Sequence, residues 1–78
     1  MKTTPYFDQQ VRRKRPYLKV EWILSVIAQP VHTTRQADGR VRMWGYIPEL
    51  GHFLRVVTLD DGETVHNAFP DRNFSGPA

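Results

Sequence analysis

The 78-residue chain contains no cysteine, which excludes a disulfide scaffold, a thiolate metal site and a catalytic thiol. No apolar run exceeds three residues, so nothing in the sequence reads as a membrane span. The first residues, Met1-Lys2-Thr3-Thr4-Pro5, lack the apolar stretch of a secretory signal, and a cytoplasmic protein is the expectation. What is present suits one folded domain over residues 1–78, with 1–3 and 75–78 expected to fray. Hydrophobic residues make up 40% and aromatics 12%, too much for a disordered chain. The net charge of +3 is unevenly spread: residues 1–42 carry nine Lys/Arg against three acids, whereas 43–78 carry two against five. Such asymmetry fits either a surface for an anionic partner or an unevenly charged soluble protein.

Two helices are expected first. Thr4 is placed as an N-cap with Pro5 at the first helical position, Phe7 and Val11 form an apolar seam four residues apart, and Pro16 stops the segment. Val20, Ile23, Leu24 and Ile27 then mark an amphipathic stripe, widened by Trp22 and Val26 and closed by Gln29-Pro30. Four β-rich runs follow, at 31–36, 41–47, 53–59 and 63–69, with Asp38-Gly39 and Asp61-Gly62 as two-residue hairpin signals. The fold class is α+β, ααββββ, with both helices on one face of a four-stranded antiparallel sheet.

Two-residue turns set a register. Arg35 then faces Arg42, and Leu54, Val56, Val65 and Phe69 face the helices together. The helix-free face collects Arg35, Arg42 and Arg55 with Trp44, Tyr46 and His66. Arginine forks hold phosphate oxygens and aromatic rings stack on unpaired bases, so this set is a candidate nucleic-acid surface. It is equally a set of strand charges that deter edge-to-edge pairing. For metal-independent RNA cleavage, a histidine titrates in the useful range, which makes His66 the acid–base candidate. Arg42, Arg55 and Arg72 would supply positive charge and Tyr46 a phenolic donor. No cofactor is implied. His32, His52 and His66 fall in separate segments without zinc-ligand spacing, and Asp60-Asp61 with Glu63 reads as a hairpin tip. The run Arg12-Arg13-Lys14-Arg15 is either a basic patch or a helix end complementing the dipole.

The layout resembles the small RelE/ParE/BrnT-like toxin superfamily, or an uncharacterised relative of it. The resemblance is carried by the element order, by Asp38-Gly39-Arg40, by Leu54-Arg55-Val56-Val57, and by Val65-His66-Asn67-Ala68-Phe69-Pro70-Asp71-Arg72. It covers roughly residues 5–74. The resemblance implies an RNA-directed protein, in its enzymatic form a metal-independent endoribonuclease neutralised by a cognate antitoxin. In that scheme His66 and Arg55 are catalytic, while Arg35, Arg42, Trp44, Tyr46 and Arg72 contact RNA. The chain departs from better-known members in having no lysine after Lys19. The alternative is a non-enzymatic interaction or nucleic-acid-binding module that uses the same sheet face. The sequence leaves the oligomeric state open.

Overall fold

Thr4 opens the first helix as its position suggests. Its hydroxyl accepts from the otherwise orphaned Phe7 N–H at 3.2 Å, and its carbonyl takes the first intrahelical bond, from the Asp8 N–H at 3.1 Å. The computed structural model, which describes residues 1–76, winds next as a π-helix over Phe7–Val11 and an α-helix over Arg12–Lys14, together called α1. Phe7 and Val11 point into the core, each 2% exposed. On the outer side Asp8 accepts from Thr3 at 2.8 Å and from Arg12 at 3.0 Å, and these bonds hold its carboxyl below the ordinary carboxylate value. Arg15 leaves helical geometry directly before Pro16, whose ring crowds the residue ahead of it.

Helix α2 spans Val20–Ala28 and ends at Gln29, before Pro30. It buries Ile23 and Val26 and half-buries Trp22 and Ile27. Val20 and Leu24, expected inside, are 40% and 46% exposed. The reason lies in the sheet. A Cβ on Gly45 would stand 2.9 Å from Val26 Cγ2, so the missing side chain lets Val26 seat itself on the strand. That contact rotates the helix about its axis and turns Leu24 to solvent.

The four strands β1 (His32–Arg35), β2 (Val41–Ile47), β3 (His52–Thr58) and β4 (Val65–Pro70) pair in chain order as an antiparallel meander. Both turn regions place hairpins as expected, but neither is a two-residue turn. Gln36 and Arg40 close the first, with Gln36 N–H donating to Arg40 at 2.7 Å around a three-residue loop that ends on Gly39 at φ +91°. Thr34 therefore faces Arg42, and Arg35 faces Val41 on the helix side. The expected Arg35–Arg42 pair does not form, and Arg35 leaves the helix-free face. In the last hairpin the Leu59 N–H donates to Thr64 at 2.9 Å around four residues, Asp60 to Glu63. Asp61 accepts from the Glu63 and Thr64 N–H groups and from the Thr64 hydroxyl. Arg55 then faces Phe69, Val56 faces Ala68, and Val57 faces Asn67, with a bulge between that pair and Thr58–Val65. Ala68 thus takes the core position expected for Phe69, which moves to the opposite face beneath Arg55.

One core results. Phe7, Val11, Ile23 and Val26 from the helices pack on Val41, Met43, Ile47, Leu54, Val56, Val65 and Ala68. Lys2 and Thr3, within the stretch 1–3 expected to fray, run with Thr4 beside β4 instead. The Val65 N–H donates to Lys2 at 2.9 Å, and the Thr4 N–H donates to the Val65 carbonyl at 3.0 Å. At the other end residues 71–76 cross the sheet face that the helices leave uncovered. Of the expected frayed tail, Pro77 and Ala78 lie outside the described residues.

Candidate nucleic-acid interface

Alternation along β2 and β3 directs Arg42, Trp44 and Tyr46, with Phe53, Arg55 and Val57, away from the helices. His32 and Thr34 join them from β1, and Asn67 and Phe69 from β4. Four of the site residues named from sequence, Arg42, Arg55, Trp44 and Tyr46, therefore share one face. Tyr46 is its most open aromatic at 52% exposure, with its ring edge-on to Phe53 at 5.2 Å. Trp44 is only 6% exposed. Phe74, returning from the chain end, stacks on it at 4.9 Å and 12°, while His32 tilts against both rings.

Arg55 sits between two rings, its guanidinium 5.5 Å from the Trp44 centroid and 5.2 Å from that of Phe69. Arg15 approaches Phe69 as well, at 5.7 Å, so one residue of the basic run on α1 reaches this side of the sheet. Cations held on ring faces in partial shelter from water gain more than exposed ones. The Asp71 carboxylate accepts from Trp44 Nε1 at 2.9 Å and lies 3.9 Å from Arg55, a loose ion pair. Arg42 has no salt bridge among the described residues. Three polar atoms on this face are buried without a hydrogen-bond partner there: Thr34 Oγ1, Arg42 Nε and Arg55 Nε. Thr34 is the cross-strand neighbour of Arg42, and Arg42 and Arg55 are diagonal neighbours across β2 and β3.

The remaining named residues lie elsewhere. Arg35 donates to the Gly39 carbonyl at 3.0 Å, on the other side of β1. Arg72 is exposed in the chain-end segment. His66 occupies the β4 bulge, where it shares the position opposite Val57 with Asn67. Its Nδ1 is 3.0 Å from Thr4 Oγ1 and its ring stacks on Tyr6 at 4.9 Å. Burial, and then the positive charge of Arg40, hold its pKa below the ordinary histidine value, with Asp38 opposing. Among the described residues no hydrogen bond, ion pair or ring contact joins His66 to Arg42 or Arg55.

Sequence reasoning missed Thr34, Phe53, Asp71 and Phe74. Thr34 was hidden by a one-residue error in loop length. Phe74 carried the one usable signal, a large aromatic in a polar, Pro/Gly-containing segment, since such a ring usually finds cover. No helix among the described residues is long and apolar enough to cross a membrane, and no group of three metal-ligating side chains converges there. No protein-family model, curated protein or solved structure matches the chain significantly.

Proposed function

We propose that the chain is an RNA-directed binding module that takes single-stranded RNA on the helix-free face of the sheet, with Arg42 and Arg55 on phosphates and Tyr46 against a base. The supporting observation is the set of adjacent buried polar atoms, Thr34 Oγ1, Arg42 Nε and Arg55 Nε, without partners among the described residues. A buried donor without a partner costs about 1–3 kcal/mol, and two on neighbouring arginines beside exposed aromatic surface suit an anionic ligand with π-faces. The likeness in layout to RelE/BrnT-type toxins points to the same ligand class. Cleavage is not included in the reading, because the contacts of His66 run to Thr4 and Tyr6 and not to the arginines.

The test is equilibrium binding of a fluorescein-labelled decauridylate across a salt series. Affinity should fall on a log–log slope of about −0.7 per phosphate held. Arg42→Gln should lower that slope by about one such contact, while His66→Gln should leave affinity and RNA integrity unchanged. Salt-independent binding, or RNA cleaved by the parent and spared by His66→Gln, would overturn the reading.

A further inference from the structure

The same face carries an aromatic slot that is already filled. Trp44 forms its floor, Phe53 stands edge-on at one wall, 5.0 Å and 78° from Phe74, and His32 leans in from β1. Phe74 lies nearly parallel to Trp44, in the geometry by which a nucleobase stacks on an indole. Three residues earlier, the Asp71 carboxylate sits between Trp44 Nε1 and the Arg55 guanidinium, where a phosphate oxygen would be held. One segment thus presents a flat ring and an anion, the two recognition elements of a nucleotide.

The segment is held mainly by side chains, Asp71 to Trp44 and Arg55 and Phe74 to its ring neighbours, and little by its main chain. Its backbone joins the sheet through the Asp71 N–H to the Phe53 carbonyl at 2.8 Å, and its internal bonds are the Phe74 and Asn73 N–H groups to Asp71. Arg72, Asn73 and Ser75 are exposed. The helix-side core does not include any of these residues, so the segment can leave without opening it.

We propose that Trp44 and Arg55 form a subsite for one RNA base and its phosphate, and that the segment from Asp71 to Phe74 occupies it as a displaceable stand-in. This rests on the RNA-binding reading of the same face. A segment docked nine-tenths of the time raises the apparent Kd about 10-fold, because only the undocked fraction accepts ligand.

The experiment uses the full chain and the decauridylate probe at low salt. Phe74→Ala should bind about 10-fold tighter than the parent, and Phe74→Trp, which keeps the stack, should return to parental affinity. Asp71→Asn, which removes charge but little shape, should tighten binding about 3-fold or more, and it decides the matter if Phe74→Ala loses its far-ultraviolet dichroism. Equal affinity in the parent, Phe74→Ala and Asp71→Asn overturns the stand-in and leaves RNA binding intact. Weaker binding by Phe74→Ala also overturns it, since the segment would then belong to the binding surface. If none of these proteins binds RNA better than Arg42→Gln does, the RNA reading fails and the stand-in with it.

Discussion

Leu54 and Arg55 are neighbours in the chain and look out on two different environments. Leu54 is fully buried among the apolar side chains of the helix-covered face, where Val56, Val65 and Ala68 are equally dry. Arg55 is clamped between Trp44 and Phe69, with its Nε unpartnered among the described residues and a loose pairing to Asp71. The first face needs only volume and shape, and its closeness explains the fold. The second holds guanidinium and hydroxyl groups whose desolvation is incompletely offset among the described residues. Close packing and incompletely satisfied polar groups are thus divided between the two sides of one four-stranded sheet.

That division breaks or sharpens under substitution. The largest effect is expected within α2, where Ile23→Ala should cost about 2–4 kcal/mol, and Leu24→Ala, on the exposed side, less than about 1 kcal/mol. Urea titration of both variants measures the contrast, and equal losses would mean that the helix face has been misassigned. Gly45→Ala should cost about 1–3 kcal/mol, because its methyl would drive into Val26 Cγ2. Adding Val26→Ala should recover part of that loss if the close approach is its cause. On the opposite face Arg42→Met should move stability by less than about 1 kcal/mol in either direction while weakening RNA binding, since it exchanges an unpartnered donor for a side chain of similar reach.

The smallest effects are pH-dependent. His66 is held below its ordinary value of 6.5, so the folded chain takes up that proton less readily than the unfolded one. Its contribution is complete above about pH 6.5 and is lost as pH falls below that value, a slope that His66→Gln should remove from urea midpoints. The carboxyl of Asp61 is lowered to about 2, first by the Thr64 hydroxyl and then by the N–H groups of Thr64 and Glu63. Its contribution is present above the ordinary carboxylate value of 3.8 and disappears as pH drops toward 2. Asp61→Ala should reduce the slope in that lower window, where Asp8 also contributes, and leave the upper one unchanged.

The sequence made the element order legible because its punctuation is local. Thr4 caps, Pro16 and Pro30 stop helices, and the glycines of both hairpins adopt the left-handed backbone that tight loops require. Loop length was not legible, since Asp-Gly also fits inside longer turns. A one-residue change in the first loop moved Arg35 off the candidate face, whereas the β-bulge at His66, which no local signal marks, exchanged Phe69 for Ala68 in the core. The face of α2 was unclear for another reason. Apolar residues nearly encircle that helix, so only the gap at Gly45, a tertiary feature, picks Val26 over Leu24. For the candidate site, alternation brought Arg42, Trp44, Tyr46 and Arg55 together, while the covering of Trp44 by Phe74 depends on a long-range return that no periodicity encodes.

The pairing of residues 2–4 with Val65 has a consequence for assembly. A sheet polymerises when each copy offers two free borders, one to receive a neighbour and one to pass the pattern on. Here the β4 border is obstructed by that N-terminal clip and by the bulge at His66, which leaves the four-residue β1 as the accessible border. Two molecules joined β1 to β1 would each keep only the obstructed border, which disfavours extension of such a pair into a fibre.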